Sequence, residues 1–350
     1  MMKKLITAAL FSFGFAAVAA AQIPVEGTSY YLPRTALRFT MLVEKTTYEP
    51  GQFAIYAGRY MKKTDVTQEP DKTYRIISTK MVPVAVPDTS KHYTLMMDKK
   101  HSITKTDIDV SGILLAVNGD GKEIHLPASF VSARKPDLLN PKDYMTEDIL
   151  AAGSSAKMAE LCAQEIYDIR DSRNQLSRGQ ADNMPKDGEQ LKLMFANLNT
   201  QEQALLQLFD GVTHKDTAET VMTFIPVAEV SKQLYFRFSK KLGFTDIDDL
   251  GGAPFYISIE DEHIAPKQEV APEDKKKSKD DIGLNVNLPG KIKITLFEQE
   301  KPMASFETYA GQFGAMENLS GELFGKKQTC HIILNPVTGG IDSIQGETLK

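Results

Sequence analysis

The chain has no tryptophan, only two cysteines among its 350 residues, and no excess of basic charge, with 41 Lys and Arg against 46 Asp and Glu. Each shortage excludes something. The missing tryptophan leans against a sugar-stacking platform, leaving Tyr and Phe as the only large rings for such a surface. Two cysteines are too few for a disulfide scaffold or a cysteine-rich zinc site. A formal net charge of −5 gives no sequence-wide attraction for phosphate backbones, which argues against nucleic acid as a partner. Beyond the N-terminus no run is apolar for long enough to cross a bilayer as a helix, so no transmembrane anchor is expected. Gly-x-Ser-x-Gly, Walker, Gly-x-Gly-x-x-Gly and His-Glu-x-x-His patterns are missing, so nucleophile-elbow hydrolases, nucleotide enzymes and zincin proteases lack their local marks. The histidines His92, His101, His125, His214, His263 and His331 stand singly, none with a helical i, i+4 partner for a metal. No cofactor is expected.

What is present at the N-terminus reads as a cleaved secretory signal. Lys3 and Lys4 form the positive region, residues 5–18 the apolar run, and Ala19-Ala20-Ala21 the small-residue cleavage site. Cleavage after Ala21 makes Gln22 the mature N-terminus and sends the product to the periplasm or the outer-membrane face. A transmembrane β-barrel fits poorly, because the middle of the chain is helical in pattern and the C-terminal Glu347-Thr348-Leu349-Lys350 lacks an aromatic residue.

The patterning predicts an α+β fold of two largely antiparallel β regions joined by a central helical hairpin. Residues 1–21 are the signal and 22–150 an N-terminal β-rich region. Runs rich in Thr, Val, Ile and Tyr at 35–48, 73–86 and 108–117 read as strands. Phe53, Tyr56, Ala57 and Tyr60 at helical spacing predict a short helix over 52–61. Asn118-Gly119-Asp120-Gly121 predicts a tight hairpin joining 108–117 to 123–126.

The helical hairpin spans 151–210. Met158, Cys162, Ile166, Ile169 and Leu176 share one face of its first helix, which Ser154 or Ser155 caps and Gly179 ends. Asp187 with Gln190 has capping-box spacing for the second helix, which Gly211 closes, and Thr200 with Gln203 predicts a break near Asn199. Residues 211–350 form the second antiparallel β region, with strands at 219–227, 233–238, 254–259, 291–297 and 327–334. The proline-containing, mixed-charge stretch at 264–281 reads as a mobile surface loop. Cys162 and Cys330 lie in apolar phases and read as separate buried hydrophobes.

The order of these pieces resembles a known family. Tyr30-Tyr31-Leu32-Pro33-Arg34-Thr35, Val43-Glu44-Lys45-Thr46-Thr47-Tyr48-Glu49-Pro50-Gly51, Tyr56-Ala57 and Tyr60 look like its opening. Ile166-Tyr167, Arg170-Asp171-Ser172-Arg173, Pro185-Lys186-Asp187-Gly188, Phe236-Arg237-Phe238-Ser239, Asp249-Leu250-Gly251-Gly252 and Asn335-Pro336-Val337-Thr338-Gly339-Gly340 continue the likeness over nearly the whole mature chain. The family is one of exported proteins of Bacteroides-type bacteria, filed as a domain of unknown function. The resemblance implies export and carries no activity or catalytic residue.

Two groups are candidate sites. Arg173 falls in the apolar phase of its helix, between Ile169 and Leu176. One account is a snorkelling stem paired with an acid on the second helix. The other is that Arg170 and Arg173 flank a groove where a carboxylate or sulfate meets their planar forks, with Tyr167 lining the same groove. Asp246, Asp248 and Asp249 before Gly251-Gly252 supply oxygen ligands for calcium, or form a solvated turn. The reading of function is an exported non-catalytic binding or assembly module, its partner an envelope protein or polymer. The alternative is a hydrolase using two carboxylates brought together by folding, as glycosidases do without a local motif. The intact mass of exported protein is expected to correspond to a start at Gln22, and a mature species still carrying Lys3 would overturn the compartment reading.

Overall fold

Period-two alternation builds a long strand that is paired on both edges. In β1 (Gly27–Glu49) Leu37, Phe39, Met41 and Val43 are buried, while Arg38, Thr40, Leu42 and Glu44 between them are only partly covered. One face of the strand therefore lies on a core and the other is open. The computed structural model describes residues 27–133, 138–185, 187–265 and 281–349. The expected signal at 1–21 and most of the charged stretch at 264–281 lie outside these residues.

After β1 the chain runs through β2 (Asp71–Met96), β3 (Thr106–Ile108) and β4 (Leu114–Val117), then the helices α1 (Glu147–Leu150), α2 (Ser155–Arg178) and α3 (Gly188–Asp210). There follow β5 (Val212–Phe224), β6 (Val230–Ser239), β7 (Gly243–Thr245), β8 (Ala253–Asp261), β9 (Asp281–Glu298), β10 (Lys301–Ser320), β11 (Gln328–Leu334) and β12 (Ile341–Thr348). The fold is mostly antiparallel β with few helices. Its sheets have the orders β2-β1-β5, β10-β9-β8-β6-β7 and β12-β11-β4-β3.

The expectation of one β region on each side of the helices takes a different form. β1 lies between β2 and β5, and β4 pairs with β11, so strands from before and after the helices share sheets. Strand pairing is non-local, and nothing in a strand's own alternation names its neighbour. The strands β10 and β12, unmarked in the sequence pattern, have mostly half-covered or exposed residues, which weakens alternation as a signal.

Two cores run through the sheets. The first gathers Tyr30 and Leu32 of β1, Ile282, Leu284 and Val286 of β9, and Ile332 and Leu334 of β11. The second gathers Leu37, Phe39 and Met41 of β1, Ile292, Ile294 and Leu296 of β9, and Phe236, Phe255 and Ile257. β1 and β9 thus pass through both cores. Between them the side chain of Asn287 is fully buried and donates to the carbonyls of Pro33 (3.2 Å) and Thr338 (2.7 Å), while its oxygen accepts from Lys91 Nζ (3.1 Å). Gly311 is required beside it, since a Cβ there would lie 2.5 Å from the Thr338 carbonyl oxygen and 2.6 Å from the Asn287 amide nitrogen.

A third core holds the helices, with Cys162, Ile166 and Ile169 of α2 meeting Leu205, Leu208 and Phe209 of α3 and Phe53 and Met61. Ser154 caps α2 and Gly179 ends it in the left-handed region at φ 67°. Asp187 caps α3 through the amides of Glu189 and Gln190. No break occurs near Asn199: α3 runs on through it, with the Thr200 hydroxyl donating to the Ala196 carbonyl (2.8 Å) instead of capping a new helix. The expected helix over 52–61 is a 3₁₀ turn (Ala54–Tyr56) followed by a π turn (Ala57–Met61), which Lys62 ends at φ 59°.

Asn118 adopts the expected positive φ, 55°, yet no strand follows at 123–126. Its nearly buried amide donates to the Ser102 and Cys330 carbonyls and its oxygen accepts from the Thr104 amide. Thus β4 pairs backward with β3 and across to β11. Cys162 and Cys330 are both buried and free, in different cores. Asn287→Ala should lower unfolding free energy by about 1–3 kcal/mol, the cost of leaving buried polar partners unpaired. The measurement is the urea midpoint at unchanged slope. A change within about 0.5 kcal/mol, as at ordinary surface positions, would remove Asn287 from the role of joint.

Candidate functional site

The arginines of α2 come together on one acid. Arg170 Nε donates to Glu202 Oε1 (2.6 Å) and Arg173 Nη1 to Glu202 Oε2 (2.6 Å), with Asn199 Oδ1 also accepting from Arg173 (3.1 Å). The Tyr167 hydroxyl donates to the Tyr60 carbonyl (3.2 Å), and the Arg170 guanidinium sits 5.7 Å from the Tyr167 ring centroid. Glu202 itself is buried. The sequence carried a signal for it, since Glu202 stands in the apolar phase of α3 between Leu198 and Leu205. Two charge-assisted bonds satisfy its carboxylate and bind the two helices together.

The Asp246 turn is built differently from a calcium loop. The Asp249 amide donates to the Asp246 carbonyl (3.0 Å) and Asp249 Oδ1 accepts from the Gly251 amide (2.8 Å). Arg237 holds the turn through the Ile247 and Gly252 carbonyls. Among the described residues no group of three or more His, Cys, Asp or Glu is arranged to hold a metal ion, so Asp246, Asp248 and Asp249 do not make such a group. The histidines have separate surroundings. His92 stacks on Tyr31, His101 meets Asp98, and His331 faces the Asn118 carbonyl and the Glu347 carboxylate.

The open groove that the sequence did not reveal lies where the helices meet the end of β1. Gly51 allows this meeting, because a Cβ there would fall 2.2 Å from the Leu208 carbonyl oxygen, the same oxygen that accepts from the Phe53 amide (2.6 Å). The end of α3 is thereby pressed against the end of β1, and Asp210 arrives beside Tyr48. Together with residues 63–71 they line a groove of about 570 Å³.

The Tyr48 hydroxyl donates to the carbonyls of Thr67 (2.7 Å) and Asp210 (3.1 Å), and burial with the nearby Asp210 charge pushes its pKa up. Lys63 pairs with Asp210 Oδ2, while Asp210 Oδ1 is buried without a hydrogen-bond partner. The Lys241 ammonium bonds Asp71 and holds that carboxyl below the usual range. Asp65 and Glu69 are exposed on the same rim and have no ion pair among the described residues. Tyr48 and Asp210 are far apart in the chain, so only the Glu49-Pro50-Gly51 and Asp210-Gly211 turns hinted at their meeting.

These features define an α+β protein, mostly antiparallel β, with an acid-rimmed groove where its helices meet the end of β1. The chain belongs to the family described as Domain of unknown function (DUF4831), whose model matches residues 26–342. No curated protein and no solved structure matches it. No helix among the described residues is long and apolar enough to cross a membrane.

Glu202→Ala should lower stability by about 2 kcal/mol in chemical denaturation. That is less than the roughly 3–5 kcal/mol of a fully buried pair, because both guanidiniums keep access to water. Glu202→Gln, which retains the acceptor oxygen, should lose less. An unchanged midpoint for Glu202→Ala would show that the two arginines do not depend on this acid for packing.

Proposed function

We propose that the protein is an exported, non-catalytic binding or assembly module of the periplasm or outer-membrane face, docking a cationic segment of an envelope protein or polymer. The groove between Tyr48, Asp210 and residues 63–71 carries this reading. Its rim carries exposed Asp65 and Glu69, which have no ion pair among the described residues, beside an Asp71 carboxylate already met by Lys241. Exposed carboxylates without an ion pair raise the local concentration of a cationic segment and orient it. Export rests on the signal-like residues 1–21 and on the resemblance described above.

In this reading α2 and α3 act as a helical hairpin that buttresses the groove from behind. Arg170 and Arg173 serve that packing through Glu202, and Tyr167 ties α2 to the turn at Tyr60. One observation favours the alternative of a carboxylate-pair hydrolase. The groove also gathers Asp210, whose Oδ1 is buried without a partner.

A single experiment separates the two. The Asp65→Lys, Glu69→Lys double variant should keep its melting temperature and lose the envelope component that wild type retains, because charge reversal on an exposed rim acts on encounter and orientation rather than folding. Retention unaffected by the double reversal would sink the docking reading. Release of new polymer ends by wild type, abolished by Asp210→Asn, would establish the hydrolase instead.

A further inference from the structure

The open face of the sheet β2-β1-β5 carries a second, smaller cleft. Arg38, Thr40 and Leu42 of β1 stand on that face beside Val82, Lys80 and Ser78 of β2 in direct cross-strand register. Pro127, Ala128 and Phe130 lie over them and enclose a space of about 170 Å³. They belong to the connector over residues 118–140, whose described residues contain no helix or strand. Connectors longer than about 12–15 residues without secondary structure are uncommon in compact domains and are usually functional or linker segments. Its Phe130 amide donates to the carboxylate of Glu219 on β5, which also lines the cleft and ties the connector to the sheet.

The cations of the cleft are left over. Arg38 is half-buried and Lys80 exposed, and among the described residues neither side chain has an ion pair or hydrogen bond. Glu44, further along the same face, is already shared by Arg75 and Lys215. In a chain with more acids than bases, a half-buried guanidinium without a carboxylate is unusual, since partial desolvation of a charge is ordinarily offset by a partner. The walls between the cations, Leu42, Val82, Pro127 and Phe130, are apolar. Convergent charge on an apolar concavity is the ordinary make-up of a small-ligand site.

We propose that this cleft binds a carboxylate carried on a small apolar group, with Arg38 and Lys80 holding the anion and Phe130 and Leu42 holding the apolar part. An apolar space of about 150 Å³ takes a benzene-sized body, which sets the scale of the ligand. The same chemistry has two sources, a free small acid and the apolar C-terminal residue of a peptide. The site rests on the reading of the protein as a binding module, but it lies apart from the acidic groove and takes a ligand of opposite charge.

The test is titration of the full mature protein, followed by amide shifts and calorimetry, with benzoate, benzamide, and a tetrapeptide ending in Phe with a free or an amidated carboxyl. Benzoate should bind saturably and benzamide should not. Arg38→Gln and Lys80→Gln should each weaken benzoate by about tenfold, the effect of one charge-assisted hydrogen bond, at unchanged melting temperature. Phe130→Ala should weaken it as well. Tighter binding of the free-carboxyl peptide than of benzoate identifies a chain terminus as the source, and the reverse order a free acid. Equal binding of benzoate and benzamide, indifference to both charge removals, or no binding by any probe would overturn the proposal. Those results leave the Asp65 and Glu69 reversal unaffected, so failure here is distinguishable from failure of the binding-module reading.

Discussion

Everything else in the structure hangs on two long strands that serve two cores in succession. β1 and β9 enter one hydrophobic cluster through Tyr30, Leu32, Leu284 and Val286 and another through Leu37, Phe39, Ile292 and Ile294. A strand that leaves one core for another must pass a region where its backbone is not covered by the same neighbours. Here Asn287 covers that passage, meeting the Pro33 and Thr338 carbonyls and Lys91 in a site without solvent. A buried amide with all its partners in place specifies geometry more sharply than an apolar side chain, because any shift leaves polar groups unpaired. Thr35 extends the joint, its hydroxyl donating to the Val337 carbonyl and its amide to Gln312 Oε1. The stretches at 30–35 and 335–340, far apart in the chain, therefore meet at a structural joint.

The helices depend on that framework. Just beyond the end of β1 the Phe53 amide donates to the Leu208 carbonyl, which fastens the last turn of α3 to that strand end. Arg170 and Arg173 then fasten α2 to α3 through one buried carboxylate. Charge is used in two ways. Between helices Glu202 is paired with both arginines, whereas among the described residues Asp65 and Glu69 on the groove rim, and Arg38 and Lys80 on the open face of β1, have no ion pair. Unpaired charge on a rigid sheet or at a helix end is available to a partner, and so the functional proposals rest on Asp65 and Glu69, and on Arg38 and Lys80, rather than on the arginines of α2.

The legibility of the fold varied with the range of the interaction. Caps and helix ends were readable, since Ser154, Gly179, Asp187 and Gly211 act within a few residues of themselves. Arg173 was readable as a residue needing a partner because one helix face holds Ile166, Ile169 and Leu176. One of the two accounts open for it was an acid on the second helix, and Glu202 is such an acid. Asn118 was readable as a residue of positive φ but not as the buried hub joining the Ser102 and Cys330 carbonyls, which are reached only through tertiary contact. The turn at Asp249 was readable, while the role of Arg237 in holding it was not.

By itself the sequence determined the α+β character, the helix boundaries near Ser155 and Asp210, the strand-forming runs with one buried face, and the absence of a cysteine scaffold. Those properties follow from side-chain periodicity and backbone preference, which operate over a few residues. Only the tertiary structure decided that β1 lies between β2 and β5, that β4 pairs with β11, that Asp210 faces Tyr48, and that Arg38 and Lys80 share a cleft under Phe130. These are choices among many pairings with the same local pattern. They are settled by simultaneous burial of apolar faces and satisfaction of buried polar groups such as Asn287, which depend on the whole chain at once.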